Sequence, residues 1–541
     1  MTPDSGGRNW SARAEFTYQL LFAATTITMV SMVIYLMVRL SIVALDGVSP
    51  VEATLAVLLL SAELFLMFHA VGYFSSVVKA AKRHARTPPP LFARPSTQPV
   101  AVLVAAFNEP EDVLDQTLAA IRAMDYPAVH LYLLDDSTKE ECRLAGKRLA
   151  ARYGATLKQR TNRAGYKAGA INDLLLELDE EFVALLDADQ RPTQAWLKDV
   201  IPMFDRRPRI AMIQAPQVYV NLAGLPVAEA AAFQQAIFFE YICEGKAFSN
   251  AIFCCGSNVV LRRSALLSIE VNVDGRRHFF DETTVTEDFA TTVRLHAKGW
   301  TTDFINEPYV LGMGPETLPA YFTQHMRWSM GSMAVGLKVF RMALTNPRML
   351  TPGQYWEYLL SGSYYFVGWA NLVFMFAPIA FLLFGIRPVR TESNLYMILF
   401  VPYIFFTMNL FFFGMKLRQY PVRGVWLASA LSFASTWTYA KAAVVAVFGL
   451  KRAFAVTPKG VGGRVPITNM PVEAALFAVN VLAAGVGMWH LAFVTVETAY
   501  VVTTLWATYH AILMSTLFFY FNRPVHIAAQ DAMFVDHLRA A

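Results

Sequence analysis

The sequence is short of charged residues. Only 16% of its 541 residues are Asp, Glu, Lys or Arg, whereas a soluble globular protein usually carries about 25%. Hydrophobic residues make up 55% of the chain, and the mean hydropathy is +0.38. These values exclude a disordered or collagen-like chain and disfavour an ordinary cytosolic enzyme. The net charge of +5 is too small for this length to indicate a protein that binds nucleic acid.

Cysteine is scarce as well. The four cysteines are Cys142, Cys243, Cys254 and Cys255. They are too few for a disulfide framework, and their spacing matches no zinc-binding pattern. Two of them are adjacent, which is a poor arrangement for a bridge. We therefore predict reduced thiols and a catalytic part that faces the cytoplasm.

Long hydrophobic runs, in contrast, are frequent. A membrane-spanning helix needs roughly 20 mostly apolar residues. Two such runs lie near the N-terminus, and five more follow a stretch of ordinary soluble composition over about 80–350. The runs cover 20–45, 51–78, 359–385, 395–415, 425–450, 473–495 and 498–521. The polar residues before the first run and its length argue against a signal peptide.

The basic residues in the loops predict an orientation, because loops on the cytoplasmic side carry an excess of Lys and Arg. The 45–52 turn has no basic residue, whereas 79–94 is strongly basic, so the soluble stretch should be cytoplasmic. The segments 416–423 and 451–464 are both basic. We therefore expect 425–450 to lie in the membrane interface between them rather than to cross.

This reasoning predicts six spans and four parts of the chain. The parts are an N-terminal membrane block of two spans (1–80), a cytoplasmic domain with interface helices (81–345), a second membrane block of four spans that holds the interfacial helix and the 451–464 loop (346–525), and a cytoplasmic tail (526–541).

The soluble stretch has the pattern of an α/β domain. Residues 100–106 form a continuous Val-rich run, typical of a buried parallel strand. Further strands are predicted at 130–136 and 182–189, each ending in acidic residues, with helical patterns between them. Ligands bind at the carboxyl ends of such strands. The acidic residues expected there, and a metal–diphosphate site with them, are Asp135, Asp136, Asp187 and Asp189.

The pair Asp187 and Asp189 can hold one hard divalent cation, because carboxylate oxygens are the ligands that Mg²⁺ or Mn²⁺ prefers. A solvated turn explains an isolated pair of this kind equally well. Its position at the end of a buried strand, beside a second acidic strand end, favours the metal site.

Three further clusters have both a functional and a simpler explanation. Thr286 is predicted to cap a helix whose first turn contains Glu287 and Asp288, and helix capping alone would explain Thr286 and Glu287. The segment 324–328, QHMRW, could be an interface helix anchored by Trp and Arg. The segment 454–460, FAVTPKG, lies in a basic loop and could be no more than that.

Taken in order, the motifs of the chain resemble the processive membrane glycosyltransferases of family 2, and most closely the bacterial cellulose synthase catalytic subunits or the related curdlan and mixed-linkage β-glucan synthases. The motifs are AFNEP at 106–110, LLDDS at 133–137, YKAGAIN at 166–172, DAD at 187–189, QAPQ at 214–217, FCCGSNVVLRR at 253–263, VTEDF at 285–289, QHMRW at 324–328 and FAVTPKG at 454–460. Each motif is weak alone, whereas the ordered set is specific.

The resemblance implies a GT-A-type, Rossmann-like glycosyltransferase domain in the cytoplasm, inserted in an α-helical multi-pass membrane domain. It also implies a role for each matching residue. These are Asp288 as the general base, Asp136, Lys167, Asp187, Gln324 and Arg327 in donor binding, Glu287 and Trp328 in acceptor binding, Asp187 and Asp189 as metal ligands, and Phe454, Val456, Thr457 and Lys459 in a gating loop.

The activity implied is processive, inverting transfer of glucose from UDP-glucose to a growing β-glucan, coupled to translocation across the bacterial inner membrane. The cofactor would be Mg²⁺ or Mn²⁺. The partners would be the UDP-sugar, the nascent polysaccharide, the lipid bilayer and, as an open option, a periplasmic export partner, but no nucleic acid. The residue types agree, because inverting transfer needs one base and positive charge near the departing UDP.

The chain departs from the cellulose synthase pattern at three places. Gln190 stands where those enzymes have His after the metal-binding pair, and Gln214-Ala-Pro-Gln-Val-Tyr219 replaces their QTPHxF, a change expected to alter donor or acceptor contacts. They also carry a C-terminal PilZ domain that binds cyclic di-GMP, which we do not expect here, because only about 20 residues follow the last predicted span.

Three other functions remain as alternatives. They are a chitin- or hyaluronan-type synthase that uses another UDP-sugar, a non-processive lipid glycosyltransferase, and a transporter with a degenerate domain. The apparently intact acidic set disfavours the transporter. Glu63 and His69 inside a predicted span could serve a saccharide channel or make structural hydrogen bonds to neighbouring helices.

Overall fold

The computed structural model describes residues 5–41, 49–86, 96–273, 275–389, 393–450 and 464–523. The α-helices are α1 (Ser5–Ser41), α2 (Pro50–Arg86), α3 (Glu111–Arg122), α4 (Glu140–Arg152), α5 (Tyr166–Leu175), α6 (Trp196–Asp205), α7 (Pro226–Ile237), α8 (Glu244–Phe248), α9 (Arg263–Leu267), α10 (Glu287–Ala297), α11 (Leu318–Thr345), α12 (Pro352–Ser363), α13 (Val367–Phe384), α14 (Ser393–Leu417), α15 (Val422–Ala434), α16 (Thr436–Val447), α17 (Pro471–Phe493) and α18 (Thr498–Thr516). The strands are β1 (Val100–Ala106), β2 (Val129–Asp135), β3 (Thr156–Gln159), β4 (Phe182–Asp187), β5 (Gln190–Pro192), β6 (Ile210–Gln214), β7 (Val218–Tyr219), β8 (Val259–Arg262), β9 (Val271–Val273), β10 (Arg276–His278), β11 (Thr301–Phe304) and β12 (Val310–Gly312).

Six helical segments of the described chain are long and apolar enough to cross a membrane, by length and composition. They are Arg13–Ser41, Pro50–Ala85, Pro352–Phe384, Met397–Leu417, Pro471–Phe493 and Thr498–Phe521. Each overlaps one of the six runs predicted to span, so the chain has the helices of a multi-pass membrane protein. The orientation and the division into four parts stay predictions.

The expected single helix over 425–450 is wrong, because two helices, α15 and α16, meet at Ser435. The Ser435 hydroxyl donates to the Leu431 carbonyl at 2.9 Å and the Thr436 hydroxyl to that of Phe433 at 2.6 Å. Such side-chain bonds compete with the helical backbone pattern. Neither helix has the roughly 20 residues that a span needs.

The soluble part is built on a seven-stranded sheet in the order β11-β6-β8-β4-β1-β2-β3. The sheet is mixed rather than wholly parallel, because β8 runs antiparallel to both β4 and β6. Asn258, just before β8, donates its N–H to Leu185 and accepts from that of Ala215. The chain therefore enters β8 at the carboxyl edge, which brings residues 253–258 to that edge.

Both faces of the sheet are buried. Val100, Val102 and Val104 point into one hydrophobic core, and Ala101 and Leu103 into the other. This explains why β1 is apolar without alternation, as expected of a parallel strand covered by helices on both sides. The acidic residues that follow such strands therefore stand at a rigid edge.

A second, three-stranded sheet in the order β5-β12-β7 adjoins this edge. Gly312 of β12 faces Gln190 of β5, where a Cβ atom would lie 2.3 Å from Gln190 Nε2. β12 also pairs with β7, which ends at Tyr219. The small sheet thus holds Tyr219 near the residues that follow β4.

A buried charge group, here called the joint cluster, links the soluble part to the apolar helices. It consists of Lys79 on α2, Lys246 on α8 and Glu357 on α12. Lys246 and Lys79 donate to the two carboxylate oxygens of Glu357 at 3.0 and 2.7 Å, and the side chains of Lys246 and Glu357 are each 1% exposed. Every carboxylate oxygen in this group therefore has a cationic partner.

Arg39, Glu63 and His69, which lie inside the first two spans, have protein partners. Arg39 Nε donates to Glu63 at 2.9 Å. The His69 ring nitrogens lie 3.0 and 3.3 Å from the carbonyl oxygens of Phe65 and Leu360. These contacts support the structural interpretation of Glu63 and His69.

Candidate active site

The centre of the candidate site lies at the end of β4. The ammonium group of Lys167, in the first turn of α5, forms an ion pair with Asp187. Lys167 also donates to the Gly256 carbonyl at 2.8 Å. The Asp187 N–H donates to Ser257 Oγ at 2.9 Å. The loop before β8 thus fixes both members of the ion pair.

Asp288 lies against the same loop. Gly256 has a φ of +83°, and a Cβ atom built there would lie 2.8 Å from Asp288 Oδ2. A side chain at this position would therefore be strained and would push the carboxylate away. The absence of a side chain at residue 256 allows Asp288, Lys167 and Asp187 to share one site.

Arg327 and Glu287 complete what we call the edge cluster, which consists of Lys167, Asp187, Glu287, Asp288 and Arg327. Burial lowers the pKa of Arg327, while the charges of Asp187 and Glu287 act to raise it. Glu287 in turn interacts electrostatically with Lys167 and Arg327. Five of the residues predicted from the sequence therefore lie close together in the structure.

Burial controls protonation in the edge cluster. It raises the pKa of Asp288 to about 8, and the neighbouring charge of Glu287 adds to this rise. Burial also raises the pKa of Glu287. Burial opposes the charge of Lys167, but Asp187, Glu287 and Asp288 raise its pKa overall. A carboxyl group that titrates near neutral pH is suited to general base catalysis.

The prediction that the Thr286 side chain caps α10 with a hydrogen bond is wrong. Thr286 occupies the N-cap position of α10, but its hydroxyl makes no capping hydrogen bond. Its methyl group faces Gly331 of α11, where a Cβ atom would lie 2.3 Å from Thr286 Cγ2. Thr286 therefore sets the close approach of α10 to α11, which carries Arg327.

Of the other predicted residues of α11, Gln324 is connected to Asp189 through Tyr219, whereas Trp328 packs against His325. Gln324 hydrogen-bonds with the Tyr219 hydroxyl, whose pKa is raised by burial and then by the charge of Asp189. The Trp328 ring lies with its centroid 5.0 Å from that of His325. His325 is buried, which lowers its pKa to about 3 and keeps it neutral.

Asp136 stands at the end of β2 and has a partner that the sequence did not reveal. Arg160 donates to both of its carboxylate oxygens, at 2.9 and 2.5 Å. Arg160 also donates to the Tyr166 carbonyl at 2.7 Å. This bidentate pair fixes the direction of the Asp136 carboxylate.

Comparison with known proteins agrees with this arrangement. Residues 97–331 match the family model described as glycosyltransferase like family 2. The chain carries a family 2 glycosyltransferase domain. It is 30% identical over 359 residues to the UDP-forming cellulose synthase catalytic subunit of Pseudomonas fluorescens, covering 64% of this chain and 45% of that protein.

A second relative is the UDP-forming cellulose synthase 1 catalytic subunit of Komagataeibacter xylinus, which is 28% identical over 410 residues and matched over 74% of this chain and 51% of its own length. The chain thus spans about half the length of these two relatives. A solved mannosyltransferase of Pyrobaculum calidifontis, in complex with GDP-Man and Mn²⁺, superposes with a TM-score of 0.52 at 16% identity. The match covers 73% of this chain and all of that one, and it shows that the glycosyltransferase domain has the GT-A fold.

The glycosyltransferase domain offers a divalent cation two carboxylates rather than a complete site. No group of three or more His, Cys, Asp or Glu side chains gathers as a metal site in the part of the chain that the structure describes. Asp187 and Asp189 supply hard oxygen donors, the type that Mg²⁺ and Mn²⁺ prefer, and Mg²⁺ is often held by two carboxylates plus substrate phosphates. The residues present therefore fit a cation that arrives with a diphosphate.

Gln190 directly follows the Asp187 and Asp189 pair, but as a neutral residue it adds no third carboxylate there. It is buried in β5, where its amide oxygen accepts from Asn258 at 3.2 Å and its amide nitrogen lies 3.5 Å from Asp189 Oδ1. Gln190 thus helps to orient Asp189.

Sequence reasoning missed Arg160, Tyr219, Gly256 and Ser257. The last two lie in the quoted FCCGSN motif, and Arg160 lies seven positions before Lys167, so motif position was an available signal for these three. Tyr219 lies in a two-residue strand and ends the 214–219 stretch that departs from the cellulose synthase pattern, which was the available signal for it. The predicted gating residues Phe454, Val456, Thr457 and Lys459 lie outside the described residues.

Proposed function

We propose that the protein transfers glucose from UDP-glucose to the growing end of a β-glucan, with inversion and processively, and moves the product across the bacterial inner membrane. The catalytic domain would face the cytoplasm. The observation that carries the proposal is the placement of Asp288 beside Lys167 and Asp187 in a domain attached to six apolar helices. Similarity to UDP-forming cellulose synthases supports glucan synthesis.

Donor binding depends on charge. Lys167 and Arg327 supply positive charge at the strand edge, where the diphosphate of the donor would bind. Asp187 and Asp189 would hold Mg²⁺ or Mn²⁺, which when bound supplies further positive charge for the departing UDP. Asp136, whose carboxylate is oriented by Arg160, would contact the uridine part of the donor.

Asp288 acts as the base in the proposed transfer. Its carboxylate accepts the proton of the acceptor hydroxyl while that oxygen bonds to the anomeric carbon of glucose. The bond from this carbon to the UDP oxygen breaks on the opposite face, so the configuration inverts. Glu287 lies beside the base, and Trp328 lies in the next helix, α11. Both would hold the acceptor sugar. No second carboxylate is needed as a nucleophile.

The residues 451–464 would form the gating loop over the bound nucleotide, as the resemblance implies, and they come shortly after α16 in the sequence. The helix α16 is tied to α11 by the Tyr439 hydroxyl, which lies 3.0 Å from His325 Nδ1. This contact supports a connection between the loop and the helix that carries Arg327 and Trp328.

The test is synthesis by the purified chain in lipid nanodiscs. Radiolabelled UDP-glucose should yield an alkali-insoluble or size-excluded polymer with Mg²⁺ or Mn²⁺ and none after chelation, and linkage analysis would identify the glucan. Polymer from UDP-N-acetylglucosamine alone would assign the chain to the chitin or hyaluronan type. Transfer of a single glucose to lipid would overturn processivity.

A further inference from the structure

Three residues of the small sheet form one row across its strands, here called the Gly312 row. In the pairing of β12 with β5 and with β7, Gly312 stands opposite both Gln190 and Tyr219. Side chains that are in register on neighbouring strands point to the same face of a sheet. Gln190 and Tyr219 therefore lie on one face, on either side of a residue without a side chain. Both are positions at which the chain departs from the cellulose synthase pattern.

The glutamine side of the row leads to Asp189. Gln190 is 4% exposed, its amide oxygen accepts from Asn258 at 3.2 Å, and its amide nitrogen lies 3.5 Å from Asp189 Oδ1. A Cβ atom built on Gly312 would lie 2.5 Å from Gln190 Oε1. The amide group therefore occupies the space that a side chain at residue 312 would need, and its contact with Asp189 depends on that space.

The tyrosine side of the row leads to Gln324. Tyr219 is 6% exposed and lies in one hydrophobic cluster with Leu318 of α11, and Gln235 Nε2 donates to its hydroxyl at 3.4 Å. Burial and then the charge of Asp189 raise the pKa of this hydroxyl, whereas hydrogen bonds from Gln324 and Gln235 act to lower it. Hydrogen bonds that lower the pKa of a phenol are donated to its oxygen. The tyrosine oxygen therefore holds the amide nitrogen of Gln324.

We propose that the Gly312 row is the positioning element of the donor site, in which Gln190 sets the direction of Asp189 and Tyr219 sets that of Gln324. The proposal rests on the proposed function above, which assigns Asp189 to the metal and Gln324 to the donor. Because one short sheet holds both groups, the carboxylate and the amide keep a fixed separation. Groups that are fixed in advance lose less entropy when a ligand binds. Gln190 and Tyr219 are positioning residues, since each acts through a neighbour.

The metal side of the row is tested by titrating UDP-glucose into the full chain in nanodiscs, in an Asp288→Asn background that prevents turnover. Gly312→Ala places a methyl group against the amide of Gln190, which can move aside because it ends a flexible side chain. Affinity with Mn²⁺ should fall about three- to tenfold, as expected when a group that orients a metal ligand is displaced. Affinity in EDTA should not change. After Gln190→Ala, Gly312→Ala should have no further effect, because the amide that it displaces is gone.

The donor side is tested by Tyr219→Phe, which keeps the buried ring and removes only the hydroxyl. Affinity for UDP-glucose should fall about fivefold, the effect of losing one neutral hydrogen bond. The loss should be the same with Mn²⁺ and in EDTA, because Gln324 is assigned to the donor and not to the metal. After Gln324→Leu, Tyr219→Phe should have no further effect on affinity, whereas a purely structural role of the hydroxyl would add its loss in full.

The matched controls are Gly353→Ala, where an added Cβ meets no atom within 4 Å, and Tyr126→Phe, whose hydroxyl donates to the Gln98 carbonyl at 2.7 Å at the amino edge of the large sheet. Neither should change donor affinity.

Two results would each overturn one side of the proposal. A Gly312→Ala variant that loses affinity equally with Mn²⁺ and in EDTA would overturn the link from Gln190 to Asp189. Losses that add up in the Tyr219→Phe and Gln324→Leu double variant would overturn the link from Tyr219 to Gln324. Unchanged affinity in both single variants would overturn the whole proposal and leave the proposed function standing. Protein that binds no UDP-glucose before either substitution would overturn the proposed function.

Discussion

The edge cluster and the joint cluster both gather opposite charges inside the protein, but they differ in how fully the charges are paired. In the joint cluster each oxygen of Glu357 accepts from a lysine, and the side chains of Glu357 and Lys246 are 1% exposed. In the edge cluster the Lys167 and Asp187 side chains are 24% and 44% exposed.

The difference separates a structural junction from a site of chemistry. Complete pairing offsets the cost of burying charges but leaves no group for a ligand. The edge cluster instead holds Asp288 against a glycine, with a raised pKa and no cation at hydrogen-bond distance among the contacts described. Incomplete pairing of this kind is typical of catalytic groups.

Asp288→Asn should have the largest effect on turnover. Removing a general base typically costs about 10²–10⁴-fold, whereas UDP affinity should change little because Asp288 acts on the acceptor. Initial rates with radiolabelled UDP-glucose and UDP titration of the same preparation measure the two quantities. Turnover within a few-fold of wild type would exclude Asp288 as the base.

Glu357→Gln should mainly destabilise the protein. It leaves Lys246 buried beside an uncharged partner, and breaking a buried pair costs about 3–5 kcal/mol. Thermal unfolding in nanodiscs should show a large fall in Tm, with activity per folded molecule retained.

The matched control for the joint cluster is Glu177→Gln. Glu177 pairs with Lys158 at the surface, where it is 57% exposed, and such pairs contribute about 0–1 kcal/mol. A similar Tm for both variants would contradict the structural role assigned to Glu357. Loss of UDP binding in folded Glu357→Gln protein would contradict the assignment of the joint cluster to structure and of the edge cluster to substrate binding.

The strand ends of the edge cluster could be predicted, because β1 and β4 are buried on both faces and so appear as unbroken apolar runs. The direction of β8 could not be predicted, since three apolar residues followed by an arginine carry no information on orientation. The break at Ser435 was missed because α15 and α16 are equally apolar. It depends on two hydroxyl groups that bond to backbone carbonyls.

The partners of the acidic residues were harder to predict than the residues themselves. Arg160 follows a four-residue strand in an irregular loop, and its contact with Asp136 depends on the pairing of β2 with β3. The pKa of Asp288 depends on burial by α11 and the Gly256 loop, which are distant in sequence. Local patterns located the groups, whereas tertiary packing determined their protonation.

Asp189→Asn should have an intermediate effect, of about tenfold, on UDP affinity in the presence of Mn²⁺. The carboxylate is one of two proposed metal ligands, and neutral amide oxygen is a weaker donor for a hard cation. Affinity measured in EDTA should be the same for wild type and variant. A variant that loses affinity equally with and without metal would show that Asp189 acts without the metal.

The last prediction is a pH dependence in which activity and stability change in opposite directions. If Asp288 is the base, as proposed, it acts only as the carboxylate, so turnover at saturating UDP-glucose should rise with pH by up to about tenfold per pH unit and level off above about pH 8. Stability should change in the other direction. The pKa of Asp288 is raised in the folded protein above its ordinary value of 3.8, so between these values the unfolded chain binds fewer protons than the folded one. Its contribution to the free energy of unfolding is therefore present at low pH and is lost as pH rises through about 8.

Asp288→Asn should remove this part of the slope from the pH dependence of Tm, while Glu177→Gln should leave it in place. A turnover profile that is flat between pH 6 and 9, together with an unchanged Tm slope in Asp288→Asn, would mean that Asp288 is ionised throughout, and the contrast drawn between the two clusters would then rest on exposure alone.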